Sequence, residues 1–100
     1  MTAAQAVAKG AALLDQQVPG WAERIDLPML DIGSCYHCIL GQLYGDGSEL
    51  DTSGYEVGRD WFGLTLRDAE EHGFTTAAGL PEFRRLGEAW AAEVLRRVTA

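Results

Sequence analysis

The sequence predicts an all-α fold, a compact bundle of four or five short helices around a central helix at residues 34–44. The stretch SCYHCILGQLYG, residues 34–45, would place apolar side chains on nearly every side of a helix, which is typical of a helix surrounded by other elements. Ser34 can cap its first turn, and Gly45 can end it in a left-handed conformation. No segment shows the period of two that a half-buried strand requires, so no sheet is expected.

The first helix is predicted at residues 3–17. Thr2 and Gln5 fit a capping box, in which each side chain accepts from the other residue's backbone N–H. Gly10 either weakens this helix or marks a place where another backbone comes close. The following segment, 21–32, is expected to be irregular, with one or two short helical turns, because proline-containing dipeptides precede and interrupt it.

Residues 45–60, GDGSELDTSGYEVGRD, are predicted to be mainly a loop, because four of them are glycine and five are acidic. A short helical turn is expected at 53–58. A calcium-binding EF-hand loop starting at Asp46 is rejected, because it would need a glycine where Asp51 lies. The next residues, WFGL at 61–64, are expected to fold back onto the core.

A short helix is predicted at residues 66–72, because Thr65 and Asp68 form a second capping-box pattern in front of it. Gly73 is expected to end this helix in the left-handed conformation, as glycine commonly does. Phe74 would then fold back over the last helical turn.

The clearest helix is predicted at residues 81–98, where Pro81 suits the first position and apolar residues form a continuous stripe. The central helix is expected to contact the helices at 3–17 and 81–98, with 66–72 closing one end. The predicted core consists of the large apolar residues on these faces and in the irregular segment. It comprises Val7, Leu14, Trp21, Ile25, Leu30, Cys35, Ile39, Leu43, Leu66, Phe74, Phe83, Leu86, Trp90 and Val94.

The composition predicts a single acidic domain covering residues 1–100. Fifteen acidic and eight basic residues give a net charge of −7, which disfavours direct binding to nucleic acid and to anionic membranes. No apolar run is long enough to cross a membrane, and the amino terminus lacks the basic region of a signal peptide. The two cysteines, three positions apart, do not form a disulfide framework, so the cytoplasm is the expected location.

Cys35 and Cys38 are the most chemically suggestive pair. In the first turn of a helix they would lie near N–H groups that stabilise a thiolate, so a redox-active dithiol is one interpretation. Thioredoxin-like motifs, however, occur within a βαβ pattern that this sequence lacks. We favour the other interpretation, in which both are small buried apolar residues.

A zinc site is a further alternative, for which Cys35, Cys38 and His72 provide three ligands of suitable type. His37 would lie on another helical face, so an acid such as Asp31 or a second chain would have to complete the set. The pair of C-x-x-C motifs that marks many zinc sites is absent. No metal and no cofactor is therefore expected.

The acidic segment within residues 45–60 is the preferred contact surface. Its five acids surround Tyr55 and precede Trp61, and aromatic residues beside a charged rim are common at interfaces. A solvated loop is the simpler interpretation, but loops on a helical scaffold often carry function. The predicted surface comprises Asp46, Glu49, Asp51, Tyr55, Glu56 and Asp60.

Four sequence elements occur in a distinctive order: GWAERIDLPMLDI, SC-x-x-C-x-LGQLYG, AEEHGF, and L-x-x-x-W in the last helix. This set resembles a group of small cytoplasmic proteins of actinobacteria and their tailed bacteriophages, over about residues 11–95. The C-x-x-C-x-L-G-Q and H-G-F elements are its most distinctive parts. The resemblance implies a cytoplasmic single domain and carries no established activity.

Small size, this resemblance and the lack of a catalytic motif predict a non-enzymatic, phage-encoded protein that binds a host or phage macromolecule, with a protein as the expected partner. The alternative is a dithiol redox or zinc-binding protein that uses Cys35 and Cys38. A third hypothesis is an acidic decoy of nucleic acid that occupies a basic site on a host protein, which would need a continuous acidic face.

Overall fold

The computed structural model describes residues 2–45 and 53–99 of the chain. Within these ranges the chain forms five α-helices, two short 3-10 turns and no strand. The helices are α1 (Ala3–Gln17), α2 (Ile39–Tyr44), α3 (Gly54–Phe62), α4 (Leu66–Glu71) and α5 (Leu80–Val98), and the turns are Trp21–Arg24 and Leu27–Met29. The all-α prediction is confirmed, and the Cα radius of gyration, 12.1 Å, is that of a compact chain of this length.

The helices α1 and α5 lie against each other and form one half of the core. Thr2 and Gln5 make the predicted capping box at the start of α1. α5 begins one residue earlier than predicted, with Pro81 in its first turn, where the missing N–H has no helical partner to lose. Its inward stripe is buried, as predicted, at Leu86, Trp90 and Val94.

Aromatic side chains fill the centre of this half of the core. The ring of Trp21 meets the ring of Trp90 edge to face, with centroids 5.7 Å apart. Phe74 stacks on the same indole at 5.5 Å. The Trp90 Nε1–H donates to the Gly73 carbonyl at 2.6 Å, so the one polar atom of a fully buried side chain is satisfied.

The helix α4 has the predicted caps at both ends. Thr65 and Asp68 form the capping box at its start. After its last turn Gly73 adopts a left-handed conformation with φ of 72°. Phe74 then folds back, since its N–H donates to the Ala69 carbonyl at 2.9 Å and its side chain is buried.

Gly10 of α1 marks a close approach of two backbones, one of the two roles predicted for it. A Cβ atom at this position would overlap the carbonyl oxygen of His72. It would also come within 3.0 Å of the Trp90 ring. Only glycine therefore lets the end of α4 approach α1 so closely.

The predicted central helix at residues 34–44 is wrong in its first half. Residues 34–38 form turns, and only α2 is helical. The physical reason lies in the His37 carbonyl, which accepts from the Asp31 N–H at 3.1 Å and from the Gln42 side-chain amide at 3.0 Å. These bonds hold the segment in a turn that closes back on the residues before it.

The caps of this segment also differ from the prediction. Ser34 caps the turn rather than the helix, because its hydroxyl oxygen accepts from the His37 N–H at 3.3 Å. Cys38 caps α2, since its Sγ accepts from the Gly41 N–H at 3.3 Å. Gly45 has φ of −79° and is not left-handed.

The most extensive contacts of α2 are with α3, not with α1 and α5 as predicted. Glycines bring the two backbones together. A Cβ atom on Gly54 would overlap the Gly41 carbonyl oxygen and lie 2.5 Å from the Gly45 nitrogen. A Cβ atom on Gly58 would lie 2.8 Å from the Tyr44 ring. The expected short turn at 53–58 is therefore a complete helix that packs through its glycines.

Most of the predicted core is confirmed, but four of its members are not buried. Cys35 and Leu66 are exposed, whereas Leu30 and Phe83 are half-buried. Leu66 follows the α4 cap and faces solvent, while Ala69 of the same helix faces inward. Cys38 is buried, as the structural interpretation of the cysteines predicts, and Ile32, Leu40 and Ala69 are buried as well.

Candidate interaction face on α3

The helix α3 is fixed at both ends and along its inner side. The hydroxyl oxygen of Ser53, a buried residue, accepts from the Glu56 N–H at 3.3 Å and caps the first turn. Gly63, with φ of 67°, ends the helix. The Tyr55 N–H donates to the Cys35 carbonyl at 3.1 Å, which ties α3 to the turn before α2.

The outer side of α3 combines two acidic and two apolar side chains, all of them exposed. These four residues, Glu56, Val57, Asp60 and Trp61, are called the α3 face. Residues four apart are neighbours on a helix, so Glu56 and Asp60 form an acidic row beside the apolar row of Val57 and Trp61. Trp61 is 74% exposed.

The exposure of Trp61 sets it apart from the other two tryptophans. Trp21 and Trp90 are 1% and 0% exposed, and both indole N–H groups donate to protein acceptors. Trp61 has no such acceptor among the described residues and leaves most of its apolar ring in water. This exposed aromatic side chain makes the outer side of α3 a candidate contact surface.

The α3 face is negatively charged. Within residues 2–45 and 53–99, neither Glu56 nor Asp60 forms an ion pair. Their neighbour Arg59 is half-buried, with its guanidinium carbon 5.6 Å from the centre of the Tyr55 ring. The face therefore presents two carboxylates and an indole, and the described residues place no cation in an ion pair with either carboxylate.

The structure places the predicted surface residues in three settings. Glu56 and Asp60 lie on the α3 face. Tyr55 is half-buried, and its enclosed hydroxyl oxygen has no hydrogen-bond partner in the described part of the chain. Asp46, Glu49 and Asp51 lie outside the described residues.

Sequence reasoning missed Trp61, which was expected to fold back onto the core with the rest of 61–64. Phe62 does so instead, since its ring meets that of Tyr44 edge to face at 5.9 Å. The signal that identifies the outer side is the spacing of Gly54 and Gly58, four positions apart. If both glycines face a neighbouring backbone, the residues two and three positions after each of them lie away from it, at 56, 57, 60 and 61.

The two cysteines differ in environment. Cys35 is exposed, whereas Cys38 is only 2% exposed. Burial raises the pKa of the Cys38 thiol to about 11, which outweighs the hydrogen bond that its Sγ accepts from Gly41. Cys38 therefore stays a protonated thiol at neutral pH, which disfavours a reactive dithiol and favours a structural role.

The residues considered for zinc are not brought together. In the described part of the chain, no group of three or more His, Cys, Asp or Glu side chains is arranged to hold a metal ion. His72 instead donates from Nδ1 to the Asp68 carbonyl at 2.7 Å and stacks on Phe74 with ring centroids 6.3 Å apart. It lies at the end of α4, while Cys35 and Cys38 lie in the turn before α2.

Two surface clefts are candidate reaction sites. One, of about 690 Å³, lies where the amino ends of α1 and α5 meet the end of α4, and its polar lining consists of threonines and glutamates. The other, of about 450 Å³, lies between α5 and residues 27–32 and is mainly apolar. Both clefts are lined in part by carboxylates, and among the described residues neither is lined by serine, cysteine, histidine or lysine.

Comparisons of the chain with protein-family models, with curated proteins and with solved structures gave no match. Across the described ranges, no helix combines the length and the apolar character needed to cross a membrane.

Proposed function

We propose that this chain is a small non-enzymatic protein that binds another protein through the α3 face. The observation that carries the proposal is the 74% exposure of Trp61 next to the carboxylates of Glu56 and Asp60. Tryptophan is among the residues that most often carry the binding energy of an interface. Its burial against a partner would remove a large apolar surface from water.

The α3 face is suited to binding because its helix is ordered before a partner arrives. Gly54 and Gly58 hold α3 directly against α2, and Ser53 and Gly63 fix its two ends. A surface that is already ordered loses less conformational entropy on association than a segment that must fold on binding. The four side chains of the α3 face are exposed in the described part of the chain, so a partner can reach them.

A non-enzymatic role is supported by the chemistry of the remaining groups. Cys38 is a buried cap with a raised pKa, so it is a poor nucleophile at neutral pH. The two clefts have carboxylates in their linings, but among the described residues no serine, cysteine, histidine or lysine lies beside them. Binding thus accounts for the exposed chemistry of this chain better than catalysis does.

We also propose that the protein is phage-encoded and acts in the cytoplasm of an actinobacterial host, on a host or phage protein. This rests on the resemblance carried by the C-x-x-C-x-L-G-Q and H-G-F elements. It agrees with a sequence that has only two closely spaced cysteines and so no disulfide framework.

The test compares the proteins captured from an actinobacterial lysate by the wild type, by Trp61→Ala and by Leu80→Ala. Leu80 is a matched control, because it is 75% exposed but lies on α5. We expect a partner that wild type and Leu80→Ala retain equally, and that Trp61→Ala binds about tenfold or more weakly, as truncation of an interface tryptophan commonly produces.

The free energy of unfolding of each variant is measured alongside the capture experiment. Because Trp61 is exposed, Trp61→Ala should change the free energy of unfolding by no more than about 0.5 kcal/mol. The proposal is wrong if Trp61→Ala captures the same proteins as wild type. It is also wrong if the substitution unfolds the chain, since Trp61 would then have a structural role.

A further inference from the structure

The fold contains a complete trio of an indole, a carboxylate and a guanidinium. The Trp21 Nε1–H donates to Asp15 Oδ1 at 2.9 Å. Arg97 donates to both oxygens of the same carboxylate, from Nε at 2.9 Å and from Nη2 at 2.8 Å. Its guanidinium carbon lies 5.3 Å from the centre of the Trp21 ring. One arginine thus pairs with a carboxylate and covers an indole at the same time.

The α3 face has two of these three partners. Asp60 and Trp61 are adjacent in the chain, and Glu56 lies one helical turn before Asp60, with all three exposed. The ion pairs within the described ranges provide no cation for either carboxylate. The nearest arginine in sequence, Arg59, lies over the Tyr55 ring instead. The component that the α3 face lacks is a cation.

An arginine suits this surface better than a lysine. A guanidinium is planar and weakly hydrated, so it can lie flat on an indole while its N–H groups reach a carboxylate in the same plane. An ammonium group is compact and strongly hydrated, and it pairs with a carboxylate only as a point charge. The α3 face offers both the ring and the carboxylates, as the Asp15 and Trp21 pair does for Arg97.

We infer that the protein partner presents an arginine to the α3 face, with its guanidinium stacked on Trp61 and paired with Asp60 or Glu56. This inference rests on the proposed function and deepens it by giving the chemistry of the partner, a basic protein surface that carries arginine. The net charge of −7 supports it, because a negative molecule attracts a basic surface over a distance and repels phosphates.

The probes are two charge-matched peptides, octa-arginine and octa-lysine, titrated into the full chain by calorimetry at one fixed salt concentration. The indole N–H signals in an NMR titration report where the peptide binds, because Trp61 is exposed while Trp21 and Trp90 are buried. Four variants are measured alongside the wild type. Trp61→Ala and Asp60→Asn alter the α3 face, whereas Leu80→Ala and Glu88→Gln make matched changes on α5.

We expect wild type to bind octa-arginine about fivefold more tightly than octa-lysine, a ratio in the range that an exposed cation–π contact provides. The indole signal of Trp61 should shift, and those of Trp21 and Trp90 should not. Trp61→Ala should remove the preference for arginine, and Asp60→Asn should weaken octa-arginine binding more than Glu88→Gln does. Leu80→Ala should behave as wild type.

The inference is overturned if wild type binds both peptides equally or binds neither, or if the arginine preference persists in Trp61→Ala. Self-association of the free chain that depends on Trp61 would also overturn it, because the face would then be occupied by a second copy. The lysate capture decides the proposed function separately. A partner that depends on Trp61 but shows no arginine at the contact would refute the inference and leave the proposed function standing.

Discussion

The two halves of this fold are held together by opposite kinds of contact. In the bundle of α1, α4 and α5 with the Trp21–Arg24 turn, large aromatic side chains fill the space between the elements, led by Trp90 and Phe74. In the pair of α2 and α3, the missing side chain of Gly54 lets its backbone lie against that of Gly41. The first half also has a glycine contact, at Gly10, but aromatic rings fill its centre, whereas α2 and α3 meet mainly where a side chain is missing.

This difference also explains where the candidate interaction surface lies. A helix that packs through a stripe of large apolar residues, as α5 does, uses those residues on its inner side. The helix α3 packs through Gly54 and Gly58 and needs few large residues inward. Its Val57 and Trp61 then remain on the outer side, next to carboxylates. Close backbone packing therefore leaves a short helix with a whole side available for a partner.

The largest loss of stability is expected on substitution of Trp90, in the half of the fold that contains α1, α4 and α5. Trp90→Ala should lower the free energy of unfolding by roughly 3–5 kcal/mol, because it leaves a cavity and removes the hydrogen bond to the Gly73 carbonyl. Urea unfolding followed by circular dichroism measures this change. The matched substitution Trp61→Ala should stay within about 0.5 kcal/mol. Equal losses of unfolding free energy in Trp90→Ala and Trp61→Ala would refute the distinction between Trp90, which packs the core, and Trp61, which is proposed to bind a partner.

In the glycine half, the most damaging change should be the addition of a single methyl group. Gly54→Ala places a Cβ atom against the Gly41 carbonyl oxygen and the Gly45 nitrogen, neither of which can move aside as a side chain can. We expect a loss of about 3 kcal/mol, at the upper end of common overpacking costs. Urea unfolding measures it.

Gly87→Ala is the control for that substitution, because it adds the same methyl group within α5. A Cβ atom there has its nearest neighbour, Ile32 Cγ1, at an ordinary 3.9 Å. It should stabilise the protein by about 0.5–1 kcal/mol, the difference in helix propensity between alanine and glycine. If Gly54→Ala were also neutral or stabilising, the close backbone contact between α2 and α3 would be wrong.

The same contrast decides how much of the fold could be predicted from the sequence. The helices α1, α4 and α5 carry capping boxes, a proline start or apolar stripes, which are local signals and which the structure confirms. α2 was given the wrong start because its cap is the thiol of Cys38, not the hydroxyl of Ser34. For α3 the sequence predicts only a loop with one turn, because glycine is a poor helix former. The close packing that Gly54 permits depends on its tertiary contact with α2.

The interaction site was predictable only in part. Charge identified Glu56 and Asp60, because acidic residues in a polar segment usually face water. Hydrophobicity misplaced Trp61 and Leu66, because large apolar residues are usually buried and nothing local shows that these two face solvent. Which side of a short helix faces inward depends on its neighbour, and the neighbour of α3 is recognised only through the paired glycine spacings of the two helices.

Substitution of the cysteines should have a smaller effect on stability, in the half of the fold that contains α2 and α3. Cys38→Ala should cost roughly 1–3 kcal/mol, because Cys38 is buried and caps α2 through its sulfur atom. Cys35→Ala should stay within about 0.5 kcal/mol, since Cys35 is exposed. In the native protein one thiol should react quickly with iodoacetamide and the other only after unfolding, as peptide mapping can show. Rapid labelling of Cys38 in the folded state would contradict its burial.

The smallest effect on stability is expected from the ion pairs around Arg97. This residue joins α5 to the end of α1 through Asp15 and also pairs with Glu93 of its own helix. Hydrogen bonds from Arg97 lower the pKa of Asp15 from its ordinary value of 3.8. For Glu93, burial opposes ionisation, but hydrogen bonds from Arg97 and Arg96 together lower its pKa from 4.5. Lowered pKa values in the folded state stabilise the protein above the unfolded-state values, and this stability is lost as the pH falls through and below them.

The free energy of unfolding, measured in urea, should therefore be smaller at pH 3 than at pH 7. Asp15 should contribute part of this loss. The contribution of this pair should be no more than about 1 kcal/mol, because the Asp15 side chain is 46% exposed and water screens the charges. Asp15→Asn should be less stable than wild type at pH 7, and this difference should shrink as the pH falls below 3.8 and through the lowered pKa of Asp15. In the described parts of α2 and α3 no ion pair forms, so Gly54→Ala should keep the same deficit relative to wild type at both pH values. A deficit of Asp15→Asn that did not shrink at all between pH 7 and pH 3 would show that Asp15 stabilises α1 through its bond to Trp21 rather than through its charge.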